Sequence, residues 1–281
     1  MSRATRLGLL TIAVAATGGE ADAQRLTPPS AVFRYTSAQL ACVSFHERSR
    51  GRLYAQIGTR QRRETLQRDG VLRMRAAPAG SGIALEAWYD SLALSRESPE
   101  TALVPDTDGL LGGRYRGRLT PMGGYTASVV PFVPDEIAEV AEMGGAMEDF
   151  LPPLPAIALA VGQRWADDRG LELRRLPDSV AGRRVVQRLE LRARTASDTA
   201  AVRGTRTPLA AREVTTEEGQ VDWDPRLGLL RRARRLVVET AVPAGGPVRL
   251  PLRSRLEQQV TVVRVKGGEC EGMLDAAHPS R

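Results

Sequence analysis

The sequence has few of the side chains on which enzymes and metal sites depend. Its 281 residues include only two histidines and two cysteines. It contains no Gly-x-Ser-x-Gly nucleophile elbow, no phosphate-binding P-loop and no His-Glu-x-x-His zinc motif. With so little histidine, general acid–base chemistry would fall mainly on carboxylates. The sequence therefore predicts no catalytic site, no cofactor and no metal, and a hydrolase is the third-ranked function.

Aromatic residues are also scarce, at 4% of the chain. Integral outer-membrane barrels carry aromatic girdles at both interfaces, and arginine facing lipid is costly. Here many outward positions of the expected strands carry arginine. After the first 23 residues, no run approaches the roughly 20 apolar residues that a spanning helix needs. We therefore expect a protein that is not integral to the membrane.

Lysine is almost absent, although the net charge is +7. Lys266 is the only lysine, so the positive charge is carried by arginine. An arginine-rich surface would suit anionic lipid, lipopolysaccharide or nucleic acid, but acidic residues are interspersed along most of the chain. A binding footprint should cluster on one face. We interpret the arginine excess as the bias of a GC-rich genome and expect no nucleic-acid partner.

The N-terminus has the three parts of an export signal. Arg3 and Arg6 precede an uncharged run, Leu7–Gly19, and the small residues Ala21 and Ala23 follow it. A basic segment, a short apolar run and an Ala-x-Ala site are typical of a secretory signal peptide. Residues 1–23 are therefore predicted to be a signal peptide cleaved after Ala23, which would place the protein in the periplasm or outside the cell.

The two cysteines, Cys42 and Cys270, are predicted to form a disulfide. An even pair in an oxidising compartment indicates a bridge. Closing so long a loop would restrict the unfolded chain by about 5 kcal/mol. The alternative is a zinc site that adds His46 and His278, but their spacing matches no zinc pattern.

Alternating apolar and polar residues predict a mainly β fold. The alternation is clearest over Val248–Val262 and recurs over Ile83–Asp90 and Val185–Ala193. Asp69-Gly70 indicates a hairpin turn, and Glu217–Gly219 and Asp224–Gly228 indicate turns between further strands. We expect one large curved antiparallel sheet, either half-barrel or sandwich-like.

One segment departs from the strand pattern. Acidic residues follow Pro134, as at a helix N-terminus. Apolar residues then recur near helical spacing at Ile137, Val140, Met147 and Phe150. We predict an amphipathic helix at residues 135–149 that covers the sheet, followed by a proline-rich connector that ends at Pro155.

The helix and connector divide the chain into two halves. We expect a first β meander at residues 24–133, the connector region at 134–155, a second meander at 156–266 and a tail at 267–281 that contains Cys270. Leu119–Gly124 and Trp223–Gly228 match at the same offset as Ile57-Gly58 and Val161-Gly162. This correspondence suggests a duplicated meander.

Three residue groups are candidates for chemistry but have simpler interpretations. Asp106–Gly109 offers oxygens for calcium but lacks the distal glutamate of a full loop, so a turn is preferred. The acidic residues on one helix face are expected to be solvated: Glu136, Glu139 and Glu142. The tryptophans are expected to anchor the core or its rim: Trp88, Trp165 and Trp223.

In outline the chain resembles exported bacterial proteins with a large curved antiparallel sheet and, more distantly, the half-barrels of periplasmic lipoprotein carriers. The likeness rests on the signal peptide and on three later segments: Asp135–Pro155, Val161–Trp165 and Trp223–Gly228. It implies a sheet wrapped around helical elements with an apolar cavity between them. The single predicted helix departs from the carrier pattern, and no functional residue is carried over.

Two functions are therefore expected. The first is a non-catalytic binding protein that holds an apolar or lipid-like ligand between sheet and helix. The alternative is a structural or interaction module of the cell envelope that uses arginine-rich strand faces. The arginines considered for that role are Arg231, Arg232, Arg234 and Arg235.

Overall fold

The computed structural model describes residues 30–265, apart from residues 142, 144, 149, 169, 183, 201–208 and 246–248. The predicted signal peptide at 1–23 and the tail at 267–281 lie outside the described residues. One short 3-10 turn, Ala38–Leu40, precedes the first strand.

Strands dominate the described part of the chain, and every pairing between them is antiparallel. The twelve strands are β1 (Val43–Ile57), β2 (Arg60–Ala79), β3 (Gly82–Glu97), β4 (Ala102–Leu103), β5 (Tyr115–Leu119), β6 (Tyr125–Val129), β7 (Arg164–Ala166), β8 (Leu171–Ala181), β9 (Arg184–Ala200), β10 (Leu209–Asp224), β11 (Gly228–Val242) and β12 (Leu252–Arg264). They form one open sheet in the order β6-β5-β3-β2-β1-β12-β11-β10-β9-β8-β7, with β4 beside β3. The expected large antiparallel sheet is confirmed.

The first and last long strands lie side by side at the centre of the sheet. β1 pairs with β12 from Phe45 opposite Arg264 to Ile57 opposite Leu252. The two predicted meanders are therefore halves of one continuous sheet. The matched turns join hairpins in both halves, β5 to β6 and β10 to β11, while their origin by duplication stays a prediction.

The sheet has one covered face, which we call the inner face. It carries the odd-numbered residues of β1, beginning with Val43 and Phe45. The described residues of two segments, 31–40 and 131–159, pack on the part of this face that carries Val43 and Phe45, and they bury a continuous apolar core. We call 131–159 the covering segment. Trp223 is in edge-to-face contact with Phe33 and Tyr35, and Phe45 with Phe150. The opposite, outer face carries the alternating polar residues.

The predicted helix is much shorter than expected. Helix α1 spans Asp135–Val140, and Ala141 is already extended, at φ −144° and ψ 144°. Two glycines at 144–145 each cost a helix about 1 kcal/mol relative to alanine. The Tyr115 hydroxyl also donates a hydrogen bond to the Met143 carbonyl, which gives this backbone group a partner outside a helix. The non-helical segment still buries Met143, Met147 and Phe150.

The clearest predicted strands are present. β12 begins at Leu252 and buries Val260 and Val262, as the alternation requires. In β9, Leu189 and Leu191 are buried as expected. Val185, however, is 56% exposed, and the pairing of β8 with β9 is irregular beside it.

The Asp69-Gly70 hairpin prediction is wrong, because both residues lie in the middle of β2. A Cβ added at Gly70 would lie 2.8 Å from the Ser91 carbonyl oxygen, so the glycine allows a close approach of β2 and β3 beside a bulge. Asp69 serves as a cross-strand acceptor, since its Oδ2 lies 3.0 Å from Arg48 Nε.

We therefore expect Gly70→Ala to lower the free energy of unfolding by about 1–3 kcal/mol, the range of overpacked sites. Gly51→Ala is the matched control, because Gly51 is also a buried mid-strand glycine but its nearest neighbour would be Leu66 Cβ at 3.4 Å. Urea unfolding measures both variants. Equal losses at the two positions would contradict the close-approach account.

The turn predicted at Glu217–Gly219 is also wrong, since these residues lie within β10. A Cβ at Gly219 would meet the Ala233 carbonyl oxygen at 2.8 Å, so this glycine again marks a close approach. The turn predicted at Asp224–Gly228 is confirmed. Asp224 Oδ1 accepts hydrogen bonds from the amides of Arg226 and Leu227, and Gly228 has φ +79°.

Candidate functional site

A cleft opens on the inner face along the border of the covering segment 131–159, and we call it the inner cleft. Its volume is about 350 Å³. Its apolar lining includes Leu66, Val140, Leu236, Leu256 and Val260. Its polar lining includes Glu47, Ser49, Arg68, Arg234 and Gln258. The cleft therefore combines an apolar floor with ionic walls.

The strand register creates the floor of this cleft. Gly51 lies directly between Leu66 on β2 and Gln258 on β12, and Gln258 pairs with Leu236 on β11. A glycine at the centre of this row leaves space above the sheet that a side chain would fill. The next row places Leu53 beside Leu256, so leucines continue the apolar surface away from the core.

One wall of the cleft is a buried ion pair with a tyrosine. Arg68 Nη2 lies 2.5 Å from Glu47 Oε1, and the Tyr89 hydroxyl donates to Glu47 Oε2 at 3.0 Å. The side chains of Glu47 and Arg68 are only 3% and 15% exposed. Burial, followed by the charge of Glu47, holds the pKa of Tyr89 well above its ordinary value, so this hydroxyl keeps its proton.

Two opposing effects act on the pKa of Arg68. Desolvation lowers the pKa of Arg68, whereas the attraction and hydrogen bond of Glu47 raise it, and the net direction is upward. The Arg68 guanidinium therefore stays charged beside Glu47.

The opposite wall is a second ionic group. Arg232 Nη2 lies 2.7 Å from Glu217 Oε1, and Arg234 Nη1 lies 3.6 Å from Glu217 Oε2. Arg232 also donates to the Phe150 carbonyl at 3.2 Å, which attaches the covering segment to the sheet. The arginines on both walls present charge beside apolar surface, an arrangement suited to an amphipathic ligand.

The predicted interaction arginines do not form one surface. Arg232 and Arg234 point to the inner face, while Arg231 and Arg235 lie on the outer face and approach Asp222 and Glu257. They are divided between the two faces, because successive strand side chains point to opposite sides of the sheet.

The predicted disulfide is only half within the described residues. Cys42 lies immediately before β1, whereas Cys270 lies outside the described residues, so the bridge stays a prediction. His278 of the zinc alternative also lies outside them. His46 Nε2 lies 2.7 Å from Asp69 Oδ1 on the outer face. This hydrogen bond is the main cause that lowers the pKa of Asp69.

The three tryptophans lie in separate places. Trp223 is fully buried in the core, and Trp165 is half-buried on the edge strand β7. Trp88 lies on the outer face of β3. Its Nε1 donates a hydrogen bond to Asp90, and the Arg114 guanidinium lies 3.7 Å from its ring centroid. The structure therefore brings together no aromatic ligand cage from these residues.

The acidic candidates occupy a turn and a surface. Asp106 Oδ1 accepts from the Asp108 amide, and the Thr107 hydroxyl donates to the Leu92 carbonyl, as in a turn held to the sheet. Glu136 is exposed on α1. Glu142 and the side chain of Glu139 lie outside the described residues.

The Glu47–Arg68–Tyr89 group was missed by the sequence analysis. Its signal was a charged residue at an inward position of an apolar alternation, since Glu47 follows Val43 and Phe45 on the same face. Such a charge indicates a buried partner, but the partner's identity depends on strand register. Among the described residues, no group of three or more His, Cys, Asp or Glu side chains is arranged to hold a metal ion.

Comparison with known proteins gives little beyond this geometry. No described helix is long and apolar enough to cross a membrane. No family model and no curated protein matches the chain. Among solved structures, a chain described as "lipid-protein interactions in lipovitellin" is similar, with 8% sequence identity and a TM-score of 0.42. The match covers 80% of the present chain, which spans 25% of the length of that chain.

Proposed function

We propose that this chain is a non-catalytic binding protein that holds a lipid-like ligand in the inner cleft. The observation that supports this proposal is that the inner face of the sheet is only partly covered. Val140, Ala146 and Phe150 of the covering segment border the cleft. The apolar surface of the sheet continues beyond them through the half-buried side chains of Leu66, Leu236 and Leu256. Removal of residues 1–23 would place this activity in the periplasm or outside the cell.

The size and chemistry of the cleft favour a ligand with an apolar tail and an anionic head. Its volume of about 350 Å³ falls within the usual range for small-molecule sites. An apolar tail would remove the three leucine side chains from water. The flanking Arg68 and Arg234 would attract an acidic head group at the walls.

Titration with a fluorescent fatty acid tests this proposal. We expect Leu236→Asn to weaken binding by about tenfold, because burial of a leucine side chain contributes about 1.5–3 kcal/mol. Val237→Asn is the matched control, since Val237 is also half-buried but lies on the outer face of the same strand. We expect it to change affinity less than about twofold.

Two results would overturn the proposal. One is native protein that neither binds the fatty acid nor releases lipid when it is extracted after purification from its own compartment. The other is an equal loss of affinity in both variants, since binding would then not depend on the inner cleft.

A further inference from the structure

A larger groove lies on the outer face at the end of the sheet remote from the core, and we call it the arginine groove. Its volume is about 630 Å³. Six arginines and one carboxylate line it, namely Arg62, Arg63, Arg194, Arg212, Arg253, Arg255 and Glu239. This groove is separate from the inner cleft, because all of its charged residues except Arg62 occupy outer-face positions of their strands.

Strand register arranges the arginines in two neighbouring rows. In the first row, Arg63 on β2 is two strands away from Arg255 on β12. In the second row, Arg253 on β12 is two strands away from Arg212 on β10. Adjacent strands lie about 4.8 Å apart, so each of these separations is about 10 Å. The uncharged Tyr54 lies between the first two arginines, and Ala241 lies between the second two.

Most of these guanidiniums have no acidic partner. Arg255 contacts Glu239 and Glu257, and Arg62 contacts Glu64. Within the residues that the structure describes, no carboxylate forms an ion pair with the other four: Arg63, Arg194, Arg212 and Arg253.

Elsewhere on the outer face, some arginines have such partners and others, such as Arg50 and Arg75, have none among the described residues. Arg73 lies 2.6 Å from Asp90, and Arg48 lies 3.0 Å from Asp69. The groove is distinguished by bringing together on one surface four guanidiniums that have no acidic partner in the described part of the chain. Such clustering is what separates a binding footprint from a general arginine bias.

We propose that the arginine groove binds an anionic ligand that carries at least two phosphate groups about 10 Å apart. Guanidinium groups form paired, charge-assisted hydrogen bonds with phosphate oxygens. Arginines on β2, β12 and β10 would each take one phosphate, while Glu239 holds Arg255 in place. The phosphates belong to a membrane lipid head group or to a soluble polyphosphate.

The test compares two triple variants with equal changes in charge. The groove variant combines Arg63→Gln, Arg212→Gln and Arg253→Gln. The control variant replaces three exposed outer-face arginines outside the groove, in Arg50→Gln, Arg75→Gln and Arg174→Gln. Calorimetry measures binding of short-chain inorganic polyphosphate, and co-sedimentation measures binding to phosphatidylcholine vesicles with and without cardiolipin, which carries two phosphates.

We expect the groove variant to lose about tenfold in affinity for each arginine removed, and the control variant to bind like the native protein. Loss with polyphosphate alone identifies a soluble ligand, and loss with cardiolipin vesicles alone identifies a lipid head group. Absence of binding by the native protein, or an equal loss in the control variant, would overturn the proposal. Fatty-acid binding in the inner cleft should be unchanged in both variants, which separates this test from that of the proposed function.

Discussion

Replacing Glu47 by alanine is expected to lower the free energy of unfolding by about 3–5 kcal/mol, the cost of removing one partner of a buried ion pair. The substitution leaves the Arg68 guanidinium without its carboxylate and the Tyr89 hydroxyl without its acceptor. Tyr89 is buried and Arg68 is nearly so, and water therefore does not replace the lost partner of either group. The penalty is therefore the cost of an uncompensated charge as well as of lost hydrogen bonds.

Urea unfolding of this variant needs two comparisons. Glu218→Ala is the control, because Glu218 is a mid-strand glutamate whose side chain is exposed, and we expect a change within about 0.5 kcal/mol. The triple variant Glu47→Leu, Arg68→Met, Tyr89→Phe removes every member of the group together. It should recover most of the loss, because replacement of a whole buried ionic group by apolar residues is often neutral.

Failure of the triple variant to recover stability would contradict this account. That result would mean that the shape of the original side chains, rather than their unpaired charge, accounts for the loss. A small loss for Glu47→Ala alone would mean that water reaches Arg68 in the folded protein.

Replacing Trp223 by alanine should lower the free energy of unfolding by a similar amount, about 3–5 kcal/mol. Trp223 is the largest fully buried side chain, and its ring lies 5.2 Å from that of Tyr35 and 6.2 Å from that of Phe33. The substitution leaves a cavity and also removes two edge-to-face contacts. These contacts hold the segment before β1 against the sheet, so that segment should become more sensitive to proteolysis.

Trp165→Ala is the control for this substitution. Trp165 lies on the short edge strand β7 and is only half-buried, so its loss removes less apolar surface from the core. Urea unfolding should therefore show a clearly smaller destabilisation. Proteolysis of the segment before β1 should increase only in the Trp223 variant. An equal loss of unfolding free energy in both variants would contradict the central position of Trp223 in the core.

The inner cleft was only partly predicted from the sequence, and the arginine groove was not predicted. An apolar site between the sheet and its cover was expected, because one short amphipathic segment is too small to cover so long a sheet. The residues that line the cleft were not identified. Ser49 and Gln258 are 209 positions apart in sequence, yet their side chains are joined by a 2.7 Å hydrogen bond. Only the pairing of β1 with β12 decides this contact.

The sequence by itself determined the class of fold and the faces of its clearest strands, because alternation at a period of two residues follows from the geometry of a single strand. It also determined the Asp224–Gly228 turn, whose hydrogen bonds are made within five residues. Tertiary structure alone decided that Gly70 and Gly219 are close approaches and not turns. It also decided which arginines share a face, because these properties depend on which strand lies alongside, and that neighbour is set by contacts between residues far apart in the chain.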